Sequence, residues 1–260
     1  MFSIVCVYND ETLLNSYLLK SLKDQMANYE LILEDNTKSR FSSAAQALNH
    51  GGKKASSKYI MFIHQDVDLS STRWLGDAER WLDAISDLGI AGVAGMSEHG
   101  KTNRERGRNI IKHGIPPQIW SWGNPISIPE VVQTLDECLI IIPKEIFDAQ
   151  GFDEIACNGW DLYAVDYCLS VKRIGLQAYA IPMQIYHGSL GHLTENYFVV
   201  LSKVLRKHKK YFKRVNTTVG SWSTFISVTA QRKYMVVNKT AFRLLISFKR
   251  FVCRMVKNDT

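Results

Sequence analysis

Three short apolar runs, each closed by amides or acids, occupy the first 68 residues of this 260-residue chain. Phe2-Ser3-Ile4-Val5-Cys6-Val7-Tyr8 ends in Asn9-Asp10. Tyr29-Glu30-Leu31-Ile32-Leu33 ends in Glu34-Asp35-Asn36. Tyr59-Ile60-Met61-Phe62-Ile63 runs into His64-Gln65-Asp66-Val67-Asp68. Between them, Leu13, Leu14, Tyr17, Leu18 and Leu22 fall at helical spacing, and residues 42–55 carry Ala44, Ala45, Ala47 and Leu48 on one face. This β-α-β-α-β alternation predicts a parallel sheet with right-handed crossovers. The polar strand ends then gather along one edge, where such sheets hold ligands.

The pattern continues with a helix over 71–88 (Trp74, Leu75, Ala78, Trp81, Leu82, Ile85) and a strand over 90–96. Residues 97–130 read as a long polar loop, of the length usually kept for function or motion. A strand follows at Cys138-Leu139-Ile140-Ile141-Ile142, then a helix over 161–174 and a strand at Ala178-Tyr179-Ala180-Ile181. The expected class is α/β, with a mixed, mostly parallel sheet flanked by helices. Five scattered cysteines and no secretion signal suggest reduced thiols in a cytoplasmic protein, and no run is long and apolar enough to span a bilayer.

Charge divides the chain. Residues 1–195 hold 17 Lys/Arg against 24 Asp/Glu, whereas 196–260 hold 15 Lys/Arg against Asp259 alone. The expected organisation is a catalytic domain over 1–195 and a basic helical appendage over 196–260, with an anionic partner for the appendage. Within 239–257, Phe242, Leu245, Ile246, Phe248, Val252 and Val256 form an apolar stripe flanked by Arg and Lys. Such a helix can lie in an anionic membrane interface. A helix packed on the body with its charges in water is the alternative. Nucleic acid is the weakest reading, because the body is acidic and carries no nucleic-acid motif.

Asp66 and Asp68, spaced i, i+2, fall on one face if they lie in a strand. At a strand's end they make an oxygen site for Mg²⁺ or Mn²⁺. The same spacing also fits a strand capped by solvated acids.

In order and spacing, Tyr8-Asn9, Glu30–Asn36, Ala45-Gln46-Ala47-Leu48-Asn49-His50-Gly51 and Tyr59–Asp68 together resemble a family 2 glycosyltransferase of GT-A fold. So do Gly151-Phe152-Asp153-Glu154 and Val165-Asp166-Tyr167-Cys168-Leu169. The variants His64-Gln65-Asp66-Val67 and Gly159-Trp160-Asp161-Leu162-Tyr163 are similar to the subgroup named for a streptomycin-biosynthesis protein. The resemblance covers about residues 2–195. It implies transfer of a sugar from a nucleotide-diphosphate donor to an acceptor hydroxyl, with inversion. Tyr8, Asn9, Asp35 and Asn36 then stand on the nucleotide side, and Asp66 reaches the metal bridging the diphosphate. His187 stands where many such enzymes place a further metal ligand; His192 is the weaker alternative. Asp136 is a candidate for donor or acceptor sugar hydroxyls, or a solvated strand start.

Two positions depart from the family pattern. His64 replaces the first aspartate of D-x-D, leaving Asp68 or a water to complete the metal shell. Tyr163-Ala164 stands where Glu-Asp is usual. The general base that an inverting transfer needs is therefore sought at Asp161 first and Asp166 second. On one helix, residues five apart differ by about 140°, so the two would not share a task, and Asp166 could instead anchor the helix. A glycan or lipid-linked glycan is the expected acceptor. The competing readings are a catalytically degenerate sugar-nucleotide-binding module and a sugar-phosphate nucleotidyltransferase. The latter wants a Gly-rich basic loop that residues 8–16 lack. No G-x-G-x-x-G marks a dinucleotide site.

Overall fold

The computed structural model describes residues 1–191 and 193–235. The apolar stripe over 239–257 and His192 lie outside the described residues. In chain order the elements are β1 (Phe2–Tyr8), α1 (Glu11–Leu14), a π-helical turn (Asn15–Leu19), α2 (Lys20–Lys23), β2 (Tyr29–Asp35), α3 (Ala44–Gly52), β3 (Tyr59–Ile63), β4 (Val67–Asp68), α4 (Trp74–Asp83), β5 (Leu88–Gly92), β6 (Gly95–Met96), α5 (Asn103–Arg106), β7 (Gly107–Arg108), β8 (Ile111–Ile115), β9 (Gln118–Trp122), β10 (Glu130–Val132), β11 (Thr134–Leu135), β12 (Leu139–Pro143), α6 (Lys144–Ala149), α7 (Tyr163–Lys172), β13 (Gln177–Ala180), β14 (Tyr186–His187), α8 (Glu195–His208), β15 (Arg214–Asn216) and β16 (Ser221–Ser223).

The main sheet has seven strands in the order β10-β13-β5-β12-β3-β1-β2. β1 pairs in parallel with both β2 and β3, whereas β12 runs antiparallel between β3 and β5. The first three strands therefore end on one edge, with Tyr8 opposite Asp35. Side-chain alternation with period two sorts the core between the faces. Val5, Ile60, Phe62, Ile140 and Ile142 pack with α3, α6, α7 and α8. Ile4, Cys6, Met61, Ile63, Leu139 and Ile141 pack with the α1–α2 segment and α4. Asp10 caps α1 through the Thr12 and Leu13 amides, and Ser43 caps α3 through the Gln46 amide. Small residues let α3 sit close: a Cβ on Gly51 would lie 2.5 Å from Val5 Cγ1.

Two sequence expectations change here. Residues 97–130 are not a loop: they hold α5, β7, β8 and β9. β8 and β9 form a hairpin in a four-stranded sheet, β4-β14-β8-β9. β9 is mostly exposed, so backbone pairing rather than an apolar face makes it a strand. Nor does the charge boundary at 195 mark a packing boundary. Tyr197, Val200, Leu201, Val204, Leu205 and His208 form the buried stripe of α8, and with Val215, Trp222 and Val228 most of them join the same core as α3 and α7. Among the described residues, no helix is long and apolar enough to cross a membrane.

Candidate functional site

The site lies beyond the carboxyl edge of β1, β2 and β3. β3 stops at Ile63, and the chain turns at once, with the Val67 amide donating to the His64 carbonyl at 3.3 Å. That turn corrects the expectation of two carboxylates on one strand face. Asp66 lies in the turn and projects into the crevice. Asp68 lies in β4 opposite Tyr186, and its Oδ1 accepts from the Ser70 amide at 2.7 Å. β14 returns alongside β4 with His187 opposite Val67. His64, Asp66 and His187 thus form a cluster whose ligand atoms all lie within 4.8 Å of one another; Asp68 is outside it.

The cluster fits a divalent ion. Ligand atoms about 2.1 Å from one ion stand about 3 Å apart at a right angle, and His187 Nε2 is 3.4 Å from Asp66 Oδ1. That nitrogen is buried and makes no hydrogen bond. Two imidazoles and a carboxylate suit Mn²⁺ better than the all-oxygen shell Mg²⁺ prefers. Tyr163 donates to the Glu137 carbonyl and lies 3.2 Å from His64 Nε2. Nε2 is then the donor towards Tyr163, which leaves Nδ1 as the lone-pair nitrogen.

Electrostatics favour the ligand-competent forms at two of the three positions. Burial, followed by the nearby His187, lowers the His64 pKa and keeps this ring neutral. Burial would raise the Asp66 carboxyl, but the His187 and His64 side chains outweigh it and hold it below the ordinary carboxylate range. Burial likewise opposes charge on His187, yet Asp66 and then Asp136 raise its pKa above the ordinary imidazole value. A proton therefore competes with any cation at His187.

The crevice beside the cluster has a volume of about 820 Å³ and is lined by Asn9, Asn36, Thr37, His64, Gln65, Asp66 and Trp160, among others. Of the nucleotide-side candidates, Asn9 and Asn36 line it; Tyr8 and Asp35 are not among its lining residues. The exposed Asp35 carboxylate is engaged by the Thr37 amide and hydroxyl at 2.8 and 2.7 Å. Asn36 receives the Phe41 amide at 2.8 Å, shaping the crevice wall. Gln65 clamps β1 to β3: its Oε1 accepts from the Asn9 and Asp10 amides, and its Nε2 donates to Asn9 Oδ1. Nothing in the sequence singled out Gln65, because the clamp depends on the parallel pairing of two strands.

The two base candidates separate. Asp166 is buried in α7, with Oδ1 2.8 Å from His208 Nε2 and Oδ2 2.7 Å from Lys207 Nζ, and Lys207 also reaches Asp153 at 2.8 Å. The second base candidate thus ties α8 to α7 and lines a different cavity from the crevice. Asp161 is half-buried at the turn into α7, next to Trp160. Leu162 follows it with φ 68°, a left-handed conformation costly for a residue with a Cβ. The Glu137 carboxyl, with Oε1 buried and unpartnered, is pushed well up by burial first, then by Asp161 and Asp136. Asp136 accepts from the Cys138 amide at 3.1 Å and lines a separate cavity with His187 and His113.

A mannosyltransferase from Pyrobaculum calidifontis, solved with GDP-Man and Mn²⁺, has a similar fold: TM-score 0.56 at 12% identity, covering 82% of this chain and 65% of that one. TarS from S. aureus, residues 1–349 with UDP-GlcNAc, gives 0.51 at 14%, covering 78% and 65%. GalNAc-T7 with UDP, GalNAc and Mn²⁺ gives 0.54 at 10%, covering 82% and 50%. At these identities the likeness is one of fold, and the fold is GT-A. The curated relative "ATP synthase subunits region ORF 6" of Fuscovulum blasticum is 24% identical over 164 residues, 60% of this chain and 61% of that protein. The chain thus spans less than two thirds of the length of each of these relatives. The family described as "Glycosyltransferase like family" matches residues 3–215. With a match over most of its length, this chain belongs to that glycosyltransferase-like family.

Proposed function

We propose that this protein transfers a sugar from a nucleotide-diphosphate donor to an acceptor hydroxyl, with inversion and with help from a divalent cation. The observation that carries the reading is the His64–Asp66–His187 cluster, of which His64 and Asp66 line the crevice at the carboxyl edge of β1 and β3. Mn²⁺ or Mg²⁺ held by these side chains would offset the charge that develops on a leaving diphosphate. Asn9, Asn36 and Thr37 would bind the nucleoside, and Trp160 would cover it. Asp161 would take the acceptor's proton as its oxygen attacks the anomeric carbon and the sugar–phosphate bond breaks. The resemblance to the streptomycin-biosynthesis subgroup rests on residues 64–67 and 159–163. The acceptor class is a glycan or lipid-linked glycan, met in the cytoplasm or at the inner face of the cell membrane. The basic residues after 195 would favour an anionic surface.

The test is turnover of UDP-, GDP- and dTDP-sugars with Mn²⁺. Release of nucleoside diphosphate that needs the cation and disappears in Asp66→Asn supports the reading. A second reading, a sugar-nucleotide-binding module without catalysis, is favoured by Tyr163-Ala164 where the family carries Glu-Asp. It requires tight donor binding with no turnover in any acceptor mixture.

A further inference from the structure

His187 also lines a smaller cavity of about 230 Å³. It is lined by Trp122, His113, Asp136, His187, Ser189 and Thr218, together with small and aliphatic residues. His64 and Asp66 line one cavity and His187 the other, so the cluster's side chains border both. We propose that this second cavity is the acceptor subsite, and that it takes a single pyranose ring stacked on Trp122, with ring hydroxyls bound by His113 and Asp136. The proposal rests on the glycosyltransferase reading and names the acceptor's chemical class.

Size comes first. At about 230 Å³ the cavity is smaller than the roughly 300–1,000 Å³ of sites for drug-sized ligands. It suits one ring better than a nucleotide or a peptide. Charge comes second. No Lys or Arg is among the described lining residues, and the Asp136 carboxylate disfavours a phosphate there. One carboxylate, two imidazoles and two hydroxyls around an indole can instead serve a ring with polar edges and an apolar face.

The polar groups are held for this use. His113 lies in β8 directly beside His187 in β14, and its ring meets Trp120 edge-on with centroids 4.5 Å apart. Its Nε2 is buried with no hydrogen-bond partner. A ligand hydroxyl reaching that nitrogen on a small turn of the ring would supply the partner it lacks. Asp136 is fixed by its backbone, with its amide donating to the Ala94 carbonyl at 2.8 Å, and by the Cys138 amide on Oδ1. Trp122 packs closely on Gly107, where an added Cβ would lie 2.9 Å from Trp122 Cη2.

Saturation-transfer NMR on the full chain tests this, using free glucose, galactose, mannose, N-acetylglucosamine and rhamnose, each with and without Mn²⁺ plus UDP or GDP. The expected result is transfer to the ring C–H protons of at least one pyranose. Trp122→Ala should abolish it, Trp122→Phe should retain it, and His113→Ala should weaken the affinity about tenfold, the loss of roughly one hydrogen bond. If UDP or GDP binds with Mn²⁺ but no pyranose does, the subsite is wrong and the donor reading stands. Pyranose binding indifferent to both Trp122→Ala and His113→Ala also overturns the subsite. Trp122-dependent pyranose binding without any nucleotide binding leaves the sugar cavity and removes the donor reading.

Discussion

His187 Nε2 lies 3.4 Å from Asp66 Oδ1, within ion-pair reach, although the two residues come from a turn after β3 and from an inner strand of a different sheet. That spacing is compatible with a shared cation. Mn²⁺ at a hundredfold excess over its Kd should stabilise the protein by about 2.7 kcal/mol. For a domain of this size that is roughly 5–10 °C in Tm. Asp66→Asn and His187→Ala should each remove most of that shift in differential scanning fluorimetry, and Asp68→Asn should not.

Acid should weaken cation binding, and the sign follows from the cluster. In the cation-free protein Asp66 is held below its ordinary range, so its contribution is present above the unfolded carboxylate pKa and is lost as pH falls through the folded value. His187 is raised, so its contribution is present below the unfolded imidazole pKa and is lost as pH rises through the folded value. A cation needs His187 neutral. The Mn²⁺-induced Tm shift should therefore grow from about pH 6 to about pH 8. A shift that stays constant over that range would show that His187 does not ligate.

Asp166 should behave as a structural group. Removing it leaves His208, fully buried, and the partly buried Lys207 without their shared partner. Asp166→Ala should cost about 3–5 kcal/mol, measured by urea denaturation. Asp166→Asn, at a temperature where it is folded, should keep substantial turnover, whereas Asp161→Asn should lose at least about a hundredfold.

Gln65→Leu keeps the side chain's bulk and removes all three hydrogen bonds of the β1–β3 clamp. A loss of about 1–3 kcal/mol in stability is expected. Nucleoside diphosphate affinity, read by isothermal titration calorimetry, should fall with it, because Asn9 is freed on the crevice wall.

The sheet was legible because β1, β3 and β12 are buried on both faces and so read as nearly unbroken apolar runs. The crevice followed from their polar ends. Asp66 and His187 were visible as residue types, but their closeness depends on β14 pairing with β4, which no local pattern encodes. His64 was read as a departure from D-x-D; the turn after Ile63 instead brings its ring into the cluster, with Asp68 left in the neighbouring strand. β9 escaped notice because it is mostly exposed and carries no apolar alternation, and β8 because its apolar run is broken by Lys112, His113 and Gly114. The charge change at 195 carries no packing information, because the buried stripe of α8 and its Lys207 and His208 contacts with Asp166 join it to the body.

The most direct measurement is release of UDP, GDP or dTDP from a panel of nucleotide sugars with Mn²⁺, comparing the native chain with Asp66→Asn. The account expects at least one donor to be turned over by the native protein, turnover to stop on chelation of the cation, and Asp66→Asn to lose it at least about a hundredfold. Turnover that persists unchanged in Asp66→Asn or in the absence of divalent cation would contradict it.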